Sequence, residues 1–221
     1  MMNEGRDRDV GRLALAVGVC AAGSAVCLAT FYAVQGPFGT INDIGNATAG
    51  VLSAGLAWRL RRHIPGRAGD LALGAAIAGA AITVVGSTLV ISGTTGFFLA
   101  GLVSSVGFAG IGAWLLALNT SHAVAGGWPQ RLRRLGTAAG ALMALGVAAV
   151  PGILLRLDDM GAAPGWVWIG LVGWLGIFVV YPAWAIWLAR VETSLARRAL
   201  PTPAGSGASA VAISAVEQDW R

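Results

Sequence analysis

The sequence predicts an all-α fold, a polytopic transmembrane helical bundle of six spans arranged as three helical hairpins with both termini cytoplasmic. Three observations carry it. Of 221 residues, 56% are hydrophobic and only 11% charged, with a mean hydropathy of +0.72; a water-soluble chain of this size needs far more charge to cover its surface. The apolar residues gather into six runs, each near or above the roughly 20 residues that cross about 30 Å of hydrocarbon. The basic residues, all arginine, cluster between alternate runs.

Residues 1–12 read as a cytoplasmic tail, and residues 13–189 as the membrane domain. The first span, 13–34, follows Arg6, Arg8 and Arg12 but is longer than the core of a secretory signal, so it is expected to be retained. Its Cys20 and Cys27 share nearly one helix face, too far apart for a disulfide within that helix, and are expected to pack as small hydrophobes. Span two (41–60) follows "QGPFGTIND". The basic "RRHIPGRAGD" leads to span three (71–92), and the tight "GTTG" to span four (96–118). The basic "NTSHAVAGGWPQRLRR" precedes span five (135–155), and "RLDDMGAAP" precedes span six (165–189). Residues 190–221 are expected to form a cytoplasmic tail, a short helical extension followed by a largely disordered Pro/Gly/Ser-rich stretch.

Orientation follows from the arginines. Arg6, Arg8, Arg12, Arg59, Arg61, Arg62, Arg67, Arg131, Arg133, Arg134, Arg190, Arg197, Arg198 and Arg221 fall on one predicted side and Arg156 on the other, so the first side is cytoplasmic. The same arginines explain the net charge of +5 without nucleic acid; the partners expected are the bilayer, a second copy or another membrane protein. An inner-membrane location in a bacterium of GC-rich genome fits the lysine-free, Ala/Gly/Val-rich composition.

Small residues four apart can bring helix backbones together. Gly136, Gly140 and Ala144 form one such stripe, and Asn46, Gly50 and Ala54 another; packing within the chain is expected, with homodimer contact as the alternative. Trp58, Trp114 and Trp184 each follow an alanine at the cytoplasmic end of an even span and are expected at the headgroup level, as are Trp166, Trp168 and Trp174 at the outer end. Thr83, Ser87 and Thr88 of span three are expected to hydrogen-bond across to Ser104 and Ser105 of span four. Pro151 and Pro182 are expected to kink the spans that hold them.

Chemistry is sparse. His63 and His122 both fall in loops, so histidine ligation of a haem within the membrane has no obvious ligands; HExxH, a P-loop and an intramembrane Ser/His pair are missing from the sequence. No catalytic, cofactor or metal-ligating residue is assigned. The one polar cluster at bilayer depth is "GTINDIGNAT", where Asn42, Asp43 and Asn46 form a candidate polar ligand or ion site. The competing expectation makes Asp43, Asn42 or Thr40 the N-cap of span two, after a turn at Pro37 and Gly39. Asp158 and Asp159 are expected in a solvated outer loop on the same face, where they could add to a cation-attracting surface.

The segment "PFGTINDIGN" (37–46) with its flanking apolar hairpin resembles a segment of uncharacterised small six-helix integral membrane proteins of GC-rich bacteria. The resemblance implies the membrane fold and carries no activity. Two functions are expected in turn: a non-enzymatic membrane component that packs with itself or a partner, or a small-solute transporter or substrate-binding membrane subunit using Asn42, Asp43 and Asn46. An outward pocket reaching Asn46 would favour the second.

Overall fold

A computed structural model describes residues 4–198. Among the described residues every regular element is helical, and five helices are long and apolar enough to cross a membrane. The chain runs through α1 (Glu4–Val34), α2 (Phe38–Leu60), a 3-10 turn at Arg61–His63, α3 (Arg67–Ile91) and α4 (Phe97–Thr120). After the one-turn α5 (His122–Ala125), α6 (Gln130–Ala144), a 3-10 stretch (Leu145–Ala149) and α7 (Val150–Leu154) make a fifth rod. A sixth rod joins α8 (Val167–Leu175), a π-helical stretch (Gly176–Val180) and α9 (Tyr181–Arg198).

The helix that falls outside the five is α2, although its 23 residues are enough to cross a bilayer by length. Asn42, Asp43, Asn46 and two threonines lower its apolarity. It is shielded all the same, packed between α1 and α3. Rods adjacent in the chain are adjacent in space, and α9 closes back on α1, giving a ring of six around one apolar axis. Leu56, Phe108, Ile111, Trp114, Leu115, Tyr181 and Trp184 fill that axis.

Glycine sets the closest approaches. A Cβ on Gly110 of α4 would lie 2.7 Å from the carbonyl oxygen of Ala75 in α3, and one on Gly140 of α6 would lie 2.8 Å from that of Gly112 in α4. The two small-residue stripes are therefore occupied inside the chain: Gly136 and Gly140 face α4, and Gly50 faces Ala80 and Thr83 of α3.

Both prolines sit where regular hydrogen bonding gives way. Pro182 has no N–H for the carbonyl of Phe178, and the backbone before it widens so that Tyr181 N–H donates to Gly176 O, five residues back. Pro151 would have served Val147 O; the 3-10 stretch tightens so that Val150 N–H reaches that oxygen instead. Each irregularity thus lies on the N-terminal side of its proline.

Helix α1 starts at Glu4, so helical backbone reaches into the expected N-terminal tail, and α9 runs on to Arg198 as the short helical extension expected after the sixth span; arginine is a good helix former and gives the backbone no reason to stop. The stretch expected to be disordered beyond that, with Arg221, lies outside the described residues. Trp114 and Trp184 are 1% and 0% exposed, packed edge to face on the bundle axis at 6.3 Å, whereas Trp58 is 62% exposed. The Ala-Trp pairs therefore do not share one interfacial role. The hydroxyls of Thr83, Thr88 and Ser105 donate to carbonyls four residues back in their own helices rather than across α3 and α4.

Asp158 and Asp159 lie exposed in a loop, as expected, and both carboxylates are engaged there. Asp158, in the loop before α8, accepts from the backbone N–H of Gly96 at 2.6 Å and of Leu99 at 3.1 Å, so it caps α4 from 62 residues away. Asp159 accepts from Gly161 N–H at 2.8 Å and closes its own turn. Asp158→Ala is expected to cost about 1 kcal/mol, read as a lower melting temperature in detergent, with a smaller loss for Asp159→Ala.

Candidate functional site

Helix α2 begins at Phe38, with Pro37 in its N-cap position at φ −74° and no side chain capping it. Proline suits a helix start because its φ is already set and its missing N–H has no helical partner to lose. The expected capping role of Asp43, Asn42 or Thr40 is overturned by this early start: Asp43 lies in the second turn, past the free amides. Positions 42, 43 and 46 share a face, and that face turns into the bundle. Asn42, Asp43 and Asn46 are 2%, 9% and 7% exposed.

They line a partly enclosed chamber of about 30 Å³, room for one to two waters. Helix α4 contributes Phe97, Gly101, Ser104, Ser105 and Phe108, the sixth rod contributes Trp174, Ile177 and Phe178, and α1 contributes Leu28. Ile177 and Phe178 belong to the π stretch that precedes Pro182, so the proline's effect on the backbone shapes one wall.

The polar groups inside are incompletely paired. Asn42 Nδ2 donates to Asp43 Oδ1 at 3.4 Å, while Asn42 Oδ1 is buried with no partner. Trp174 Nε1 donates to Ser105 Oγ at 2.9 Å, and Ser105 in turn donates to Gly101 O at 2.8 Å. No arginine or histidine lines the chamber, and among the described residues Asp43 makes no ion pair. A carboxylate out of water without a counter-charge costs several kcal/mol. Such a group is neutralised by taking up a proton or by a positive guest, and the chamber sets carboxylate, amide and hydroxyl oxygens beside aromatic faces.

Toward the arginine-bearing end the axis is blocked. Tyr181 hydrogen-bonds Ser53 at 2.7 Å and stacks on Trp184 at 5.9 Å; Trp184 meets Trp114 and Trp128 edge to face. Trp128 Nε1 donates to the buried Glu192 at 3.0 Å. This aromatic column closes the axis between the chamber and the arginine-bearing end.

All three candidate residues are thus brought together on one wall. Asp158 and Asp159 do not join them, being engaged at α4 and in their own turn. The opposite wall was not legible as part of a site: Ser105 reads as packing glue and Trp174 as an interfacial anchor, and only the fold sets them against each other from helices four and six. Their complementarity, an indole donor for a hydroxyl acceptor, has no local sequence spacing. Comparison with protein families, with curated proteins and with solved structures finds no match.

Proposed function

We propose that the protein is a six-span carrier of a small cation in the cytoplasmic membrane, its spans paired as three hairpins and both termini inside. The arginine-bearing end is the cytoplasmic one, which makes the chamber outward-facing and the aromatic column its inner closure. The carrying observation is the buried, uncompensated Asp43 in a chamber that reaches Asn46; ionisable groups at such depth mark ion or substrate pathways. The π-helical stretch Gly176–Val180, which brings Ile177 and Phe178 to the chamber, adds support, because such irregularities recur at functional sites.

A component that acts only by packing finds less support, because the small-residue stripes already face neighbours within the chain. The chamber's donor set binds, and we ascribe no reaction to it. The test is thermal unfolding of the purified full chain in detergent with sodium, potassium, ammonium or methylammonium chloride, against choline chloride and urea, with uptake into proteoliposomes. A small cation is expected to raise the melting temperature and to be taken up. Equal shifts with choline and urea, or none at all, would reject the reading.

A further inference from the structure

At the arginine-bearing end, the seam that closes the ring holds a second site. Between α1 and α9 lies a groove of about 490 Å³ lined by Gly11, Arg12 and Leu15 on one side and by Ile186, Arg190 and Thr193 among others on the other. We propose that this groove binds the phosphate headgroup of an anionic phospholipid, with Arg12 and Arg190 as its two donors and Leu15 and Ile186 along the first acyl carbons.

The groove has a backbone floor. A Cβ on Gly11 would lie 3.4 Å from Ala189 O and 3.3 Å from Thr193 Oγ1, so glycine lets the helices close beneath the opening while the two arginines flank it. Thr193 and Ser194 spend their hydroxyl protons on carbonyls of their own helix, at 2.7 Å and 2.8 Å. The guanidinium groups are left as the donors that face an entering anion.

Both arginines are uncommitted. Among the described residues neither makes an ion pair or a side-chain hydrogen bond. The nearby acids do not answer them: Asp9, one turn before Arg12, is exposed without an ion pair, and Glu192 is turned inward to Trp128. In the other arginine-lined openings one arginine is already engaged. Between α2 and α3, Arg61 is held by Asp70, and between α4 and α6, Arg133 donates to Asn119 O at 3.2 Å.

A guanidinium fork matches phosphate oxygens in pairs, and basic pockets between spans on the cytoplasmic side take acidic headgroups. Lipid rather than free phosphate is the occupant because the flank is apolar and open: Leu15 is exposed on the outside of the ring. This inference rests on the membrane setting and not on the chamber.

The experiment is native mass spectrometry of the full chain released from detergent containing phosphatidylglycerol or phosphatidylcholine, with and without inorganic phosphate. Wild type is expected to retain the anionic lipid about tenfold over the zwitterionic one, unaffected by phosphate. R12Q/R190Q is expected to lose that preference, and R12K/R190K to keep part of it. Equal retention of the two lipids by wild type, displacement by phosphate, or an unchanged preference in R12Q/R190Q overturns the proposal. If R12Q/R190Q does not fold, the wild-type ratio and the lysine variant decide. Loss of cation binding with lipid preference intact would reject the carrier reading alone.

Discussion

Asp43→Asn is expected to abolish the cation-dependent rise in melting temperature while leaving the bundle folded. Asparagine has nearly the shape of aspartate and still offers an oxygen to Asn42 Nδ2, which donates to Asp43 Oδ1 in the wild type. What it removes is the charge. A guest present at about a hundred times its dissociation constant stabilises the folded state by about 2.7 kcal/mol, a shift of several degrees for a chain of this size. The variant should show none of it.

The sign without cation separates binding from architecture. A buried carboxylate lacking a counter-charge destabilises the empty protein, so Asp43→Asn should melt at or above the wild-type temperature in choline buffer. A residue that merely supported packing would do the opposite and lower it. If the variant gains the same cation shift as wild type, Asp43 is not the ligand. Asn46→Ala, which removes a neutral group from the same wall, is expected to weaken the response without abolishing it.

The broad architecture could be read from the chain because a lipid environment constrains it so strongly: backbone amides at that depth must be satisfied within the helix, and arginines mark one end. The helix limits were less legible. Pro37, Phe38 and Gly39 look like the end of a turn, yet Pro37 starts α2, and the shift of a few residues carries Asp43 from a cap into the interior. The residue that does cap α4, Asp158, is 62 positions from Gly96, a separation no local pattern reports. Burial of Trp114 and Trp184 likewise depends on which face of α4 and α9 the ring turns inward, and an Ala-Trp pair holds no information about that. At the candidate site, α2 announces itself by being too polar for its setting, whereas the facing wall of Ser105, Trp174 and Phe108 is made of residues that suit lipid or packing equally well.

Gly140→Val is expected to destabilise the protein by about 3 kcal/mol or more, at the upper end of overpacking costs. The added Cβ would lie 2.8 Å from Gly112 O and 2.8 Å from Leu116 N, and both are backbone atoms of α4. A side chain in the way could change rotamer; a helix backbone can yield only by moving as a unit. The approach is close from both sides, since a Cβ on Gly112 would lie 2.9 Å from Gly140 O. Within a bilayer, lipid tails are as apolar as the helices, and van der Waals packing of this kind is a large part of what holds them together. Gly74→Val on α3 is the control, because nothing lies within 4 Å of the Cβ it would gain; it should melt near wild type. Detergent melts of the two variants therefore compare the same substitution with and without a facing backbone. Similar losses at both positions would mean that helix propensity, not the approach of α6 to α4, sets the cost. Separating those helices also moves Ser105 and Phe108, which α4 carries to the chamber, so Gly140→Val should weaken cation binding from a position that does not line it.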